Sequence, residues 1–331
     1  MNIFQRYLAE EFAEDYEEGR LTRRDALKLI TSVTGSLLLA NSILAACAPP
    51  PEETIAPTDV PSATDSPTDT PPASSSPTAE SASTDSASPT SPYGTVMPDD
   101  PAILAGDVQI PASDATLMGY LARPSNEVPA PVILVCHENR GLTPHIQDVT
   151  RRFAKAGYVA LAMDLLSRQG GTNAVGSGNV PGALGGIDPG QFVEDFKSGW
   201  QFLQGQSFAQ AEKVGMTGFC FGGGVTWQVA VHMPELLAAV PYYGPHPVTS
   251  DVPNIRAAVL AIYGELDGRI NGGIPGIEEA MTANNKIYEK IIYLNADHAF
   301  NNDTGTRFNA EAARDAWERT PTWFGQYVRS A

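Results

Sequence analysis

The sequence predicts an α/β domain over residues 101–331, in which a mostly parallel sheet has helices on both faces. Continuous apolar runs such as 131–136 are typical of parallel strands that are buried on both sides. Segments with helical periodicity alternate with these runs, and in one of them Ile146, Val149 and Phe153 share a face. Alternating strands and helices favour right-handed crossovers between parallel strands.

The same patterns set the order of elements. Strands are predicted at 117–123, 131–136, 158–164, 213–218, 237–242, 257–263 and 290–294. Helices are predicted at 145–156, 191–204, 222–232, 277–285 and 310–328. The Gly-rich segment 170–190 is predicted to be a long loop. In sheets of this type, ligands bind beyond the carboxyl ends of the strands, so polar residues that follow a strand are candidates for a site.

The charge of the chain is unevenly distributed. The 331 residues carry a net charge of −17. Residues 48–100 hold nine acidic and no basic side chains, so much of the excess lies in a segment of Pro, Ser, Thr, Ala and Asp. Such a composition cannot form a packed core and predicts a solvated tether. The sequence has no basic patch, which argues against a nucleic-acid partner.

The first 47 residues resemble an export signal. Arg23 and Arg24 lie in a stretch that is similar to a twin-arginine motif, and the apolar segment 27–46 leads to Cys47 in a lipobox-like ending. In signals of this kind a lipid is attached to the cysteine sulfur and the peptidase cuts before it. Two alternatives remain: cleavage without lipid attachment, and a retained membrane helix, which the length of 27–46 allows.

Together, residues 1–47 and the tether at 48–100 predict an exported protein. We expect a lipoprotein of the bacterial cell envelope, with the membrane as a partner through the lipid on Cys47. The tether would then hold the domain at 101–331 away from the membrane surface, outside the cytoplasm.

A cysteine in a Gly-rich turn is the first candidate for chemistry. Cys220 lies between Gly218 and Gly222, after a predicted strand and before a predicted helix. This is the spacing of a nucleophile elbow, with cysteine in place of serine. A helix N-terminus favours the thiolate, and the backbone N–H of Phe221 is free to donate to an oxyanion. A buried structural cysteine is the alternative. Cys136 lies inside an apolar strand and is interpreted as core.

An acid and a base follow the cysteine in chain order. Asp267 and His298 each come after a predicted strand, and the order nucleophile, acid, histidine is that of α/β hydrolases. The histidine would accept the thiol proton and the aspartate would hold its tautomer. Glu265 is the competing acid. The remaining histidines have weaker claims to a role, and their spacing with the cysteines predicts no metal site and no cofactor.

At this point the chain resembles the dienelactone hydrolase family, also called carboxymethylenebutenolidases, over about residues 115–328. The resemblance implies the α/β-hydrolase fold and hydrolysis of small-molecule esters or lactones. The segments that carry it are 131–142, 162–168, 218–223, 242–244, 264–267 and 296–300.

The resemblance also implies roles for three further residues. Glu138 matches a glutamate that lies near the thiol and helps to generate the thiolate, and the backbone N–H of Asn139 matches the second oxyanion donor. Arg168 matches an arginine that binds the substrate carboxylate, a task that suits a guanidinium. The family's second arginine is replaced here by Asn302. Arg307 is near in sequence and is a possible substitute.

Two functions are therefore weighed. The first is a cysteine hydrolase of esters or lactones that works through an acyl-thioester at Cys220. The second is a surface-tethered binding protein that keeps the pocket without turnover, because fold alone does not fix function. The full set of Cys220, Asp267 and His298 favours the enzyme.

Overall fold

A computed structural model describes residues 1–46 and 94–331. Its centre is an eight-stranded sheet with the order β1-β2-β4-β3-β5-β6-β7-β8. Strand β2 pairs antiparallel with both β1 and β4, and all other pairs are parallel. The strands are β1 Ile103–Pro111, β2 Thr116–Pro124, β3 Ala130–Cys136, β4 Val159–Asp164, β5 Ala209–Phe219, β6 Ala238–Tyr242, β7 Ala258–Gly264 and β8 Tyr288–Tyr293.

The helices cover the sheet and the carboxyl ends of its strands. The α-helices are α1 Ile3–Glu17, α2 Arg23–Thr34, α3 Leu37–Ala46, α4 Pro144–Lys155, α5 Thr172–Val175, α6 Val180–Gly185, α7 Pro189–Gln204, α8 Phe221–His232, α9 Gly268–Asn271, α10 Ile274–Ala283 and α11 Ala310–Phe324. A π-helix, Gly325–Arg329, continues α11. The predicted fold class, a mostly parallel sheet with helices, is confirmed.

The central strands are buried because their sequences are apolar on both faces. Every residue of β3, β4, β6 and β7 is buried, as expected where helices cover a parallel sheet on both sides. Strand β8 lies at the edge of the sheet and has no fully buried residue. The central strands therefore hold the residues at their carboxyl ends in a rigid frame.

Close backbone contacts explain the glycines beside Cys220. A Cβ on Gly218 would lie 2.2 Å from the carbonyl oxygen of Gly222, and one on Gly222 would lie 2.5 Å from the carbonyl oxygen of His137. Neither position has room for a side chain, since real Cβ atoms do not approach backbone this closely. The glycines allow the turn from β5 to α8 to pack against the end of β3.

The N-terminal helices α1 and α2 pack on the domain at 101–331, and α3 packs on α1 and α2. Residues of α1 bury one face that includes Phe4, Leu8 and Phe12, and a capping box at Asn2 and Gln5 begins the helix. None of the helices within the described ranges is long and apolar enough to cross a membrane. The predicted lipid site, Cys47, and nearly all of the predicted tether lie outside the described residues.

Two segments differ from the sequence prediction. Residues 170–190 were expected to form a loop, but α5 and α6 lie within them. Val180 and Leu184 are fully buried, and Gly182 and Gly185 closely approach α2, so tertiary packing stabilises a helix where the local glycines disfavour one. Strand β1 was also missed, because only part of this edge strand is buried.

We expect Gly218→Ala to lower the free energy of unfolding by about 1–3 kcal/mol, since the new methyl group must displace backbone. Thermal unfolding of the two proteins measures this difference. Gly325→Ala is the matched control, because Gly325 has helical dihedrals and open space around the position of a Cβ. An equal loss of stability in the control would contradict the steric argument.

Candidate active site

Cys220 alone makes the turn between β5 and α8. The strand ends at Phe219, the helix begins at Phe221, and Cys220 has φ 58° and ψ −122°. Residues with a side chain rarely adopt this backbone conformation, which is found where a site imposes it. The nucleophile elbow predicted from the sequence is therefore present in shape, with a thiol that is 3% exposed.

His298 and Asp267 form a buried pair beside this turn. The Nδ1 of His298 lies 2.6 Å from Oδ2 of Asp267, and the Asp267 Oδ1 accepts a hydrogen bond from the backbone N–H of Ile270. Burial alone would raise the pKa of Asp267, but the charge and hydrogen bond of His298 lower it. Burial would lower the pKa of His298, yet Asp267 raises it well above its usual value. The carboxylate thus stabilises the imidazolium.

The competing acid, Glu265, has a different contact. Its Oε2 accepts a hydrogen bond from the backbone N–H of Asn295 at 2.9 Å, and the residue is exposed. The structure therefore brings Asp267, and not Glu265, to His298.

A tyrosine from the N-terminal helix α1 bridges the sulfur and the imidazole. The Tyr7 hydroxyl lies 3.1 Å from Sγ of Cys220 and 3.2 Å from Nε2 of His298. Burial, followed by the charges of Cys220 and Glu11, raises the pKa of Tyr7 well above its usual value. The tyrosine is therefore a neutral phenol, with one proton to donate to either atom.

A glutamate from the same helix faces the sulfur. Both carboxylate oxygens of Glu11 lie 3.7 Å from Sγ of Cys220, and Oε1 accepts a hydrogen bond from Nδ2 of Asn139 at 3.1 Å. Glu11 is 3% exposed. A buried carboxylate needs such partners, because desolvation strongly disfavours an isolated charge.

These surroundings keep the thiol protonated. Burial raises the pKa of Cys220, the carboxylate of Glu11 raises it further, and His298 only partly offsets both. Burial and Glu11 therefore both disfavour the thiolate that was expected at this turn. Reaction at the sulfur therefore requires a base that accepts its proton.

The predicted oxyanion donors lie on either side of the cysteine turn. Phe221 is the first residue of α8, where backbone N–H groups have no intrahelical partner. Asn139 follows the end of β3 and lines the same cavity as Cys220. Two backbone N–H groups from neighbouring strand ends are the arrangement expected for an oxyanion site.

Glu138 is buried at the end of β3 and also lines this cavity. Its Oε2 accepts a hydrogen bond from Nδ2 of Asn302 at 2.7 Å. His137 lies beside it, with Nδ1 2.7 Å from the Glu138 carbonyl oxygen and Nε2 accepting from the backbone N–H of Leu165. Asn302 thus holds the glutamate at the position where the resemblance led us to look for a second arginine.

The cavity that reaches Cys220 has a volume of about 660 Å³. One side is formed by the ends of the central strands and the loops that follow them. The other side consists of residues from the N-terminal segment, namely Glu11, Phe12, Asp15, Arg20, Leu21 and Leu29. This volume suits a small organic substrate.

Arg168 is not among the residues that line this cavity. Its guanidinium donates to both carboxylate oxygens of Asp114 and of Asp195 at 2.8–2.9 Å. The predicted carboxylate-binding role of Arg168 stays a prediction, and the structure gives the side chain two carboxylate partners from its own chain. Arg307, by contrast, lines the cavity and lies 3.7 Å from Asp15.

Within the described ranges, three ligand-type atoms of Glu11, Cys220 and His298 lie within 4.8 Å of one another. Such a trio has the chemistry of a metal site. The hydrogen bonds of Tyr7, Asp267 and Asn139 account for this convergence without an ion.

The remaining candidates have structural contacts. Cys136 is fully buried in β3, and burial raises the pKa of its thiol well above the usual value. The Nε2 of His246 lies 2.8 Å from the Tyr263 hydroxyl, and burial lowers the pKa of His246 to about 4. His145 lies 2.9 Å from Asp303.

Sequence reasoning missed Tyr7 and Glu11. Both precede the twin-arginine-like motif and were assigned to the export signal. The one available indication was the pattern of α1, in which Phe4, Tyr7, Glu11 and Phe12 share a helical face. That pattern predicts a helix with a buried side, but it does not identify the surface against which the helix packs.

The comparisons with known proteins agree with this geometry. The model of the "Dienelactone hydrolase family" matches residues 117–328. A protein of Methylorubrum extorquens named "Putative carboxymethylenebutenolidase" is 34% identical over 255 residues, which cover 73% of this chain and 88% of the relative. A protein of the same name from Escherichia coli (strain K12) is 34% identical over 266 residues, which cover 75% of this chain and 96% of that relative.

The solved structures that resemble this chain also include dienelactone hydrolases. A "Putative Dienelactone Hydrolase" from Klebsiella pneumoniae subsp. pneumoniae MGH 78578 is 33% identical, with a TM-score of 0.64, over 68% of this chain and 100% of the other. A dienelactone hydrolase from Anabaena variabilis is 21% identical with a TM-score of 0.55, a likeness that supports the fold. The chain therefore belongs to the dienelactone hydrolase family and is a hydrolase of the α/β-hydrolase fold.

Proposed function

We propose that the protein hydrolyses small esters or lactones through an acyl-thioester on Cys220. One observation supports this most strongly. The Cys220 sulfur lies at a strained strand-to-helix turn, within 4.8 Å of the ring nitrogen of His298, whose other nitrogen is held by Asp267 at 2.6 Å. These are the positions that a nucleophile, a base and an orienting acid require.

In the first half of the reaction, Nε2 of His298 removes the proton from the Cys220 thiol. The sulfur attacks the carbonyl carbon of the substrate, and the carbonyl electron pair moves to an oxygen that the N–H groups of Phe221 and Asn139 stabilise. The C–O bond to the leaving alcohol then breaks, and the imidazolium donates its proton to that oxygen. For a lactone, the alcohol stays attached to the acyl group.

In the second half, a water molecule enters the cavity and His298 accepts one of its protons. The resulting hydroxide attacks the thioester carbonyl carbon, the C–S bond breaks, and the sulfur leaves as a thiolate that takes the proton from the imidazolium. The products are a carboxylic acid and an alcohol. Asp267 supports both halves because it stabilises the charged ring.

Ionisation of the sulfur is the step that needs assistance. Burial raises the pKa of the thiol, so little thiolate exists at neutral pH. Glu138 lines the same cavity and is placed by Asn302. We propose that Glu138 helps to generate the thiolate when substrate displaces its present contacts, the role that the family resemblance implies.

We also propose, from the sequence, that the protein is exported and attached to the membrane through Cys47. Arg23 and Arg24, followed by an apolar segment that leads to Cys47, support this proposal. Cleavage before Cys47 would remove α1, α2 and α3 from the mature protein.

We expect Cys220→Ala to abolish hydrolysis of p-nitrophenyl acetate and of small enol lactones, because the covalent intermediate cannot form. Steady-state rates of the two proteins at equal concentration measure this. Cys136→Ala is the control, since it removes a buried thiol of β3 that takes no part in the proposed chemistry. Wild-type rates in Cys220→Ala would favour the surface binding protein instead.

We expect mature protein from native membranes to begin at a diacylglyceryl-modified Cys47. Intact-mass spectrometry and N-terminal peptide mapping detect both the missing 46 residues and the added lipid. A Cys47→Ala variant that remains soluble and full length would be the matching control. A free, unmodified Cys47 in membrane-derived protein would refute the lipid attachment.

A further inference from the structure

We propose that residues 1–46 are an intramolecular inhibitory cap, which seats Glu11 and Tyr7 on the nucleophile until cleavage before Cys47 releases it. This inference rests on the proposed cysteine hydrolase and on the proposed processing of the N-terminus. The occupant of the catalytic cleft is thus a segment of the same chain. Its release is hydrolysis of one peptide bond by a signal peptidase, with water as the co-reactant.

The position of Glu11 is the first argument. Both oxygens of its carboxylate lie 3.7 Å from Sγ of Cys220, and Oε1 accepts a hydrogen bond from the side-chain Nδ2 of Asn139. A carboxylate is also the group that ester hydrolysis produces. Glu11 therefore fills the space beside the sulfur, and a substrate carbonyl cannot reach the sulfur from that side.

The position of Tyr7 is the second argument. Its hydroxyl lies within hydrogen-bond distance of both the Cys220 sulfur and the His298 nitrogen. A single phenol oxygen thus takes up the space in which the base must act on the thiol and on the leaving group.

The charges of the cap oppose catalysis at the sulfur. Tyr7 is packed against Cys220, His298 and Glu11, with the guanidinium of Arg269 4.6 Å from the centre of its ring. Among these groups, Glu11 stabilises the neutral thiol and not the thiolate, because like charges repel at short range.

The packing of α1 on the domain involves specific aromatic contacts. Phe4 packs its ring against Phe192 and Phe221, with centroids 5.3 and 4.8 Å apart, and Phe221 is the residue after the nucleophile. The mutual packing of aromatic rings adds stability beyond the burial of their area. The helix is thereby anchored next to the elbow itself.

The contact between α1 and the domain is also complementary in charge. The acidic helix α1 meets two cations of the domain, as Arg269 donates to Glu14 at 3.1 Å and Arg307 lies 3.7 Å from Asp15. Helix α2 extends the contact, since Gly182 and Gly185 of α6 leave room for it to approach closely. The cap is thus held at three separate places around the cleft.

The predicted twin-arginine signal gives the cap a purpose. Signals of this type generally carry folded cargo, so the domain would fold inside the cell before export. A cleft filled by Glu11 and Tyr7 would keep its cysteine from reacting with intracellular esters. Cleavage before Cys47 would then activate the enzyme at the place where it works.

The test compares uncleaved full chain with a Phe4→Asp, Tyr7→Ala double variant that dislodges α1. Rates of Cys220 alkylation by iodoacetamide, read by peptide mass spectrometry, and of p-nitrophenyl acetate hydrolysis are measured on both. If about nine of ten molecules of the full chain are capped, only about one in ten can react. Dislodging α1 in every molecule should therefore increase each rate about tenfold. Glu10→Ala with Glu17→Ala, at exposed positions of the same helix, is the control and should change neither rate.

A second form of the experiment avoids any change to the buried face. A protease recognition site is introduced between residues 47 and 93, and the folded, purified chain is cut and diluted so that the N-terminal piece dissociates. Alkylation of Cys220 should again accelerate about tenfold. Alkylation that stays unchanged or slows after release would overturn the cap.

The two proposals fail in different ways. If alkylation accelerates on release but no ester or lactone is hydrolysed, the cap stands and the proposed hydrolase function fails. If the uncut chain hydrolyses esters rapidly and release changes nothing, the hydrolase stands and the cap fails.

Discussion

The hydrogen bond between His298 and Asp267 holds an imidazole ring close to the buried sulfur of Cys220. The rest of the domain positions these three residues. Strands β5, β7 and β8 deliver the cysteine, the aspartate and the histidine to one edge of the sheet. The strands are parallel, so their carboxyl ends meet there, and burial of the central strands makes that edge rigid. The glycines at 218 and 222 then allow the sulfur to project from a turn that other residues would block.

Burial of this site has two opposing effects on its chemistry. Low polarity strengthens the interaction between His298 and Asp267, and it also keeps the thiol of Cys220 in its neutral form. A carboxylate from α1 shifts the balance further toward the neutral thiol. The reactivity of the sulfur therefore depends on what fills the cleft, and the present occupant is a piece of the same chain.

The family assignment covers the fold of this chain but not the residues that bind its substrate. The fold is shared with dienelactone hydrolases. In this chain, Asn302 donates a hydrogen bond to Glu138, and Arg168 is paired with Asp114 and Asp195. Binding of a substrate carboxylate cannot therefore be transferred from the family without a test of the residues that line this cavity.

Much of the fold could be predicted from the sequence, because buried parallel strands leave a continuous apolar signal. The same holds for Cys220, Asp267 and His298, since each follows such a strand. Helix α6 was missed because it depends on packing against α2, and local glycines gave the opposite indication.

Tyr7 and Glu11 were missed for a related reason. Their contacts with Cys220 cross more than two hundred residues of sequence, and nothing in the local pattern of α1 indicates this partner. Because an export signal accounted for the whole segment 1–47, site residues were not expected within it.

The central claim is that the sulfur of Cys220 becomes covalently acylated during turnover. Rapid quenching of the reaction with p-nitrophenyl acetate, followed by intact-mass and peptide mass spectrometry, tests it directly. The account predicts an acetyl group on the peptide that contains Cys220, formed no more slowly than p-nitrophenol is released at steady state. Continued hydrolysis with that peptide unmodified, or with the acetyl group on another residue, would contradict it.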